Sequence, residues 1–361
     1  MAKKSGETKR RGPSNVLITG LGTFWGARVA KALEADDRVD YIVGLDVEEP
    51  TIELERTEYV RTDQNYSILS RIVEECGIDT ILHTFLVVDP TQSTSRQMHE
   101  INVIGTMNLF AAASAPSTVR TVVVKSSAMA YGTAPEDPTW FSEDTPRSRS
   151  PRSNVERSIA QVEGYVRDFN LDNPDVAVSL LRFANVLGSD IRTPLTRALE
   201  MPLVPAVFGF DPRLQFAHED DVVSSILFAM NHRLAGTFNV AGDGLLPWSE
   251  VTSMVGKRPG YLPPVGANVV TSPLRRLGLV DLPPAYIELL RYGRGIDNSK
   301  LKAAGFSFDY TSAQAVNSFV RASRLRRTMG RHRPKYTYER DVEQFFRHSP
   351  AVIRNRQAPQ E

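Results

Sequence analysis

The chain has 361 residues, 41% of them hydrophobic and 24% charged, with 23 Gly and 23 Pro, a balance that excludes collagen, coiled-coil and wholly disordered readings and leaves room for one large core or two smaller ones. Its single cysteine, Cys76, rules out an intramolecular disulfide and a cysteine-rich zinc site and points to a cytoplasmic home, and no apolar run approaches the roughly 18 residues of a membrane-spanning helix. The net charge of +1 hides an asymmetry: residues 1–13 hold five Lys/Arg against one Glu and residues 321–361 hold eleven against four acids, so the stretch between them is acidic.

The basic lead-in, 1–13, is expected to be disordered. Together with the following NVLITGLGTFWG it imitates a secretory signal, but glycines interrupt the apolar stretch, and the segment serves better as a first strand and turn. Strand-like runs occupy 15–19, 41–45, 58–62, 80–87, 120–126 and 176–183, and between them Phe24–Glu34, Ile68–Cys76, Gln97–Ala113 and Val155–Phe169 carry apolar residues at helical spacing. Strand and helix alternating in this way predict an α/β fold, a Rossmann-type doubly wound parallel sheet over 14–190, because parallel neighbours need crossover connections. From about 190 onward prolines are frequent and strands sparse, with helices expected at 219–231, 248–256, 283–291, 297–304 and 311–325. This half predicts a smaller, mostly helical substrate lobe over 191–325, with the sheet open to later strands, and then a basic tail over 326–361.

The first strand runs into Thr19-Gly20-Leu21-Gly22-Thr23-Phe24-Trp25-Gly26 and then a helix, which sets glycines where backbone must approach a dinucleotide pyrophosphate at a helix N-terminus. Asp46 ends the second strand, twenty residues past Gly26. A carboxylate there accepts the ribose hydroxyls of an adenosine and repels a 2′-phosphate, favouring NAD over NADP.

Further along lie Asp63, Ile81-Leu82-His83, Asn102, Gly105-Thr106, Ser126-Ser127, Tyr131-Gly132, Leu181-Arg182 and Asn185, then Phe216, His218, Asp220-Asp221, Gly236, Asn239, Asp297, Lys300 and Gly305-Phe306. From about 14 to 325 this series resembles the extended short-chain dehydrogenase/reductases, the NAD-dependent epimerase/dehydratase group that includes UDP-glucose 4-epimerases, and within it epimerase-like actinobacterial proteins. The resemblance implies an NAD site built from Gly20, Gly22, Thr23, Phe24, Trp25, Gly26, Asp46, Asp63, Thr84, Phe85 and Asn102. It also implies a nucleotide sugar or related metabolite near Asn185, Arg213 and Arg291, with Arg294 a further candidate. A homodimer through the helices at 97–113 and 155–169 follows from the same likeness.

The departures bear on activity. The group's usual turn is TGxxGxxG, and Thr23 stands where its middle glycine belongs; Phe85-Leu86 replace a pair of small residues after the fourth strand. Redox chemistry in the group uses a Tyr and a Lys four residues later, with a Ser or Thr on the fifth strand. Ser127 matches the third member, but Pro151 and Glu163, as landmarks, assign the other two positions to Val155 and Ile159, which move no proton. No YxxxK occurs anywhere in the chain, and Met129 stands where a polar residue is common. The expectation is a cofactor- and metabolite-binding protein with weak or no standard catalysis.

Two alternatives stand beside it. One is a working nucleotide-sugar epimerase or dehydratase with a relocated acid/base, for which Lys125 and Glu156 are candidates; strand alternation is expected to turn Lys125 away from the neighbours of Ser127. The other is an atypical member that binds nucleic acid or a protein through its basic tails, where Tyr336, Tyr338, Phe345 and Phe346 lie among arginines. Metal chemistry is not expected, since the six histidines (83, 99, 218, 232, 332, 348) show no ligand spacing. Neither a GxxxxGK[ST] loop nor a GxSxG elbow occurs, and Asp220-Asp221 read as acids complementing a helix dipole.

Overall fold

The computed structural model describes residues 14–89, 93–114, 118–264, 283–329, 342, 345, 346 and 349–357. Seven parallel strands form its central sheet: β1 (Ser14–Thr19), β2 (Val39–Asp46), β3 (Thr57–Arg61), β4 (Thr80–His83), β5 (Thr121–Ser127), β7 (Ala177–Phe183) and β12 (Gly236–Val240), in the order β12-β7-β5-β4-β1-β2-β3. The order reverses at β1, so a crevice opens beyond the carboxyl ends of β1 and β4, where open α/β sheets bind ligands.

One face of the sheet is covered by α2 (Tyr66–Glu75), α4 (Gly105–Ser114) and α5 (Asn154–Asp172), through Leu69, Ile72, Leu109, Phe110, Val166 and Phe169. The other is covered by α1 (Phe24–Glu34) and α7 (Glu219–His232), through Val29, Leu33, Val222 and Ile226. The doubly wound reading is therefore the observed one, and the sheet takes its seventh strand from 236–240, beyond the six runs read in the sequence. The strand expected over 80–87 stops at His83, because Thr84–Asp89 leaves the sheet to border the crevice. The single helix expected over 97–113 is broken into α3 (Ser95–His99), a π-helical turn (Glu100–Ile104) and α4; π turns recur at functional sites.

The C-terminal lobe has its own core, in which Leu195, Val204, Phe216, Trp248, Leu290 and Phe319 meet. The helices expected at 219–231, 248–256, 283–291, 297–304 and 311–325 are all present, and short strand pairs accompany them. The pair β9 (Leu203–Val207) and β14 (Arg258–Leu262) runs parallel, β10 (Arg213–Leu214) pairs with β13 (Leu246–Pro247), and β8 (Asn185–Leu187) pairs with β11 (Phe216–His218). Pro205 and Pro259 lie inside the β9 and β14 runs, and a proline within a run argues against a strand when only sequence is in view.

The C-terminal segment is not an exposed tail where it is described. Phe345 and Phe346 are buried against the α2 side of the sheet together with Val352 of a last helix, Pro350–Gln357. Tyr41 and Ser349 share a hydrogen bond of 2.9 Å, and Arg354 pairs with Asp40 at 3.0 Å. Buried rings cannot stack on bases, which removes Phe345 and Phe346 from a nucleic-acid surface. Residues 1–13, Tyr336 and Tyr338 lie outside the described residues. Among the described residues no helix is long and apolar enough to cross a membrane.

Candidate functional site

The crevice is a cavity of about 730 Å³, in the range of small-molecule sites. Its floor is made by the strand ends: Gly22–Trp25 after β1, Asp46–Glu48 after β2, Thr84–Asp89 after β4, Lys125–Met129 at the end of β5 and Phe183–Val186 after β7. The lobe closes it with Asp190–Leu195, Tyr286 and Arg294. Buried Glu219 holds the first of these lobe segments in place by accepting the N–H groups of Ser189 (3.0 Å) and Ile191 (2.8 Å).

At the first turn the glycines are sterically required. Gly20 has φ +82°, and a Cβ on Gly26 would lie 2.1 Å from the Gly20 carbonyl oxygen, so only glycine lets α1 start this close to β1. Thr23, in place of a glycine, caps the helix: its hydroxyl donates to the Gly20 carbonyl (2.6 Å) and accepts from Gly26 N–H (3.1 Å). Phe85 packs against Gly20 and, with Leu86, borders the cavity.

Asp46 is 3% exposed and faces the cavity. Its carboxylate accepts from Gly22 N–H (3.0 Å) and Glu48 N–H (3.1 Å), and burial pushes its pKa above the usual carboxylate range despite those bonds. Thr84 also borders the cavity, its hydroxyl donating to the Thr19 carbonyl (2.9 Å). Asp63 is exposed after β3 and is not part of the cavity wall. Asn102 acts through backbone: its amide accepts from Val87 N–H and donates to Val87 carbonyl, both 2.8 Å, and so ties the π turn to the segment after β4.

On β5, Ser127 borders the cavity and accepts from Met129 N–H at 3.2 Å. Lys125 borders it too, which corrects the expectation that it turns away. Residues two apart share a strand face, and the alternating residue Ser126 is the one that points elsewhere, donating to Glu163 at 2.6 Å. The α5 positions read as Tyr and Lys in the resemblance are Val155 and Ile159, 3% and 0% exposed, packed with Leu86, Met98 and Val162. Ile159 does not border the cavity, and Val155 meets only a side pocket of about 310 Å³ that Met129 and Tyr286 share. Glu156 is spent on the α5 N-terminus, accepting from Ser153 N–H (3.2 Å) and pairing with Arg147 (2.9 Å).

Of the metabolite candidates, Asn185 borders the cavity. Arg213 does not: it is exposed on β10, and its carbonyl accepts from Arg294 N–H at 3.1 Å. Arg291 pairs with Glu288 at 2.9 Å and donates to the Pro264 carbonyl, away from the cavity. Arg294 is the arginine that reaches it, with Nη1 donating to the carbonyls of Ala128 (2.8 Å) and Gly132 (2.9 Å); burial pulls its pKa down to about 10. Among the described residues no group of His, Cys, Asp and Glu is placed to hold a metal ion.

The model of the NAD dependent epimerase/dehydratase family matches residues 16–241. The chain belongs to that family. A Mycobacterium tuberculosis relative, the uncharacterized protein Rv0501, is 32% identical over 327 residues, covering 89% of this chain and 87% of its own. Among solved structures, MoeE5 in complex with UDP-glucose and NAD has a TM-score of 0.66 at 22% identity, covering 86% of this chain and 99% of its own. The dTDP-glucose 4,6-dehydratase of Bacillus anthracis in complex with NAD also has a TM-score of 0.66, at 18% identity, covering 88% and 98%. At these identities the structural likeness is one of fold.

Proposed function

We propose that this epimerase/dehydratase-family protein binds NAD, in preference to NADP, together with a nucleotide sugar or related metabolite, and that it carries out little or no standard redox turnover. The observation that carries the reading is the one cavity in which the glycine turn and Asp46 lie at one end and Asn185 and Arg294 at the other, while Val155 and Ile159 of α5 are packed in an apolar cluster outside its lining. A dinucleotide along the strand ends and a second ligand under the lobe fit that layout. The bound ligands of MoeE5, UDP-glucose and NAD, lend it support. Binding needs no ionisable group at Val155 or Ile159, whereas a positioned proton carrier contributes about 10²–10⁴ in rate.

The test has two parts. The protein is purified and any nucleotide released on denaturation is identified, with NAD expected. The wild type is then assayed against a panel of UDP- and dTDP-sugars, with Ser127→Ala as control. Turnover within the ordinary range of about 1–10³ s⁻¹ would overturn the reading of weak catalysis, and failure to bind either nucleotide class would overturn the reading of the cavity.

A further inference from the structure

Strand β5 ends in a buried cation with little to hold it. Lys125 is 7% exposed; its Nζ makes one long hydrogen bond, 3.5 Å to the Leu86 carbonyl, and lies 6.0 Å from the centre of the Trp25 ring. Among the described residues it forms no ion pair, and the carboxylate across the strand, Glu163, is bound to Arg182 (2.7 Å) and to Ser126 on the opposite face. An ammonium has three donors. Burying one costs several kcal/mol unless acceptors or a counter-charge replace water. The fold supplies one weak acceptor and aims the group into the cavity.

The same part of the cavity holds a second source of positive potential. Phe24 and Trp25 form the first turn of α1, an 11-residue helix, and first-turn N–H groups have no intrahelical acceptor. Thr23 satisfies Gly26 N–H and Asp46 satisfies Gly22 N–H, so the donors left to a ligand are those of Phe24 and Trp25, beside Lys125. We propose that Lys125 Nζ, with the first turn of α1, binds an anionic oxygen of a nucleotide diphosphate in this cavity. The inference rests on the proposed nucleotide-binding reading and adds the residue that would hold the charge. NAD and nucleotide sugars both carry a diphosphate, and the experiment separates them.

Full-length wild type, Lys125→Met and Lys125→Arg are titrated by calorimetry with NAD, UDP-glucose, inorganic pyrophosphate, and the uncharged adenosine and uridine. The expected result is a loss of tenfold or more in Lys125→Met for the ligand whose diphosphate is held, with adenosine and uridine unchanged and Lys125→Arg retaining most of the affinity. Loss for NAD alone assigns the group to the dinucleotide, and loss for UDP-glucose alone assigns it to the nucleotide sugar. Unchanged affinity for both overturns the proposal, as does an equal loss for charged and uncharged ligands. Should wild type bind neither nucleotide, the proposed function fails on its own account and the pyrophosphate titration decides this one: binding that depends on Lys125 supports it, and absence of binding overturns it. Lys125→Gln repeats every titration if Lys125→Met does not fold.

Discussion

Helix α5 and strand β5 are neighbours, and they differ in what they offer a ligand in the cavity. The α5 wall is a stripe of Val155, Ile159 and Val162, at helical spacing, closed onto Leu86 and Met98, and none of the three borders the main cavity. The β5 wall keeps Lys125 and Ser127 on one strand face, both open to the cavity. The position that the resemblance assigns to a lysine is fully buried in hydrocarbon, while a lysine stands on the strand opposite. Leu86 belongs to the first wall by packing and to the second by its carbonyl, which accepts from Lys125. The polar groups of the cavity therefore sit where they can hold charge, and the two α5 positions that the resemblance assigns to Tyr and Lys are core.

The sharpest way to break this contrast is to place a Tyr and a Lys at these two α5 positions. Ile159→Lys buries an uncompensated charge among Leu86, Met98 and Val162, which should cost on the order of 3–5 kcal/mol, and Val155→Tyr adds overpacking of about 1–3 kcal/mol. The double variant should lose stability in urea unfolding by at least the cost of the lysine. A double variant as stable as wild type would show that α5 retains room for a Tyr and Lys, and the view of this wall as core would fall.

Next in size is the near end of the cavity. If Asp46 holds the adenosine ribose, Asp46→Ala should weaken NAD binding by about 1–3 kcal/mol, the range for hydrogen bonds to a charged group, as read by calorimetry. Tighter binding of NADP than NAD by wild type would reject the assignment. Because Asp46 also accepts from Gly22 and Glu48 N–H, Asp46→Asn, which keeps one acceptor oxygen, should retain more of the turn's order than Asp46→Ala.

How much of this was legible in the sequence follows from the range of the forces involved. The six strand runs and the glycine turn are local patterns, and Asp46 stands at the end of β2 where the spacing from Gly26 put it. The seventh strand, Gly236–Val240, is five residues with a polar Thr and Asn, too short to read without its neighbour β7. The β9 and β14 pair was hidden by Pro205 and Pro259. The break in the 97–113 helix depends on Asn102 binding Val87, fifteen residues earlier, and the burial of Phe345 and Phe346 depends on a groove beside α2; neither leaves a periodic trace. For the arginines, spacing pointed as readily to Arg213 and Arg291 as to Arg294, and tertiary structure chose among them. Lys125 was legible from alternation alone, since residues two apart on a strand share a face and Lys125 has the parity of Ser127.

The smallest expected effect tests the β5 wall without any ligand. Burial alone pulls the Lys125 pKa from 10.5 down to about 8. Below pH 8 both folded and unfolded chains carry the proton, and the folded state bears the full cost of a buried charge. Between about pH 8 and 10.5 the unfolded chain keeps a proton that the folded chain has released, so this group's contribution to stability rises with pH across that window and is level above it. Lys125→Met removes the charge while keeping an unbranched side chain one atom shorter. It should therefore be more stable than wild type at pH 7, and the margin should shrink as the pH rises from about 8 towards 10.5. Paired urea unfolding curves at pH 7 and pH 9.5 measure it, with the other titrating groups cancelling between the two proteins. His83, on the neighbouring strand, is held neutral down to about pH 4 by burial and by Lys125, so it is uncharged in both measurements. A Lys125→Met protein less stable than wild type at pH 7 would mean that the ammonium has a counter-charge in the free protein, and the case for a ligand oxygen at that place would lose its physical basis.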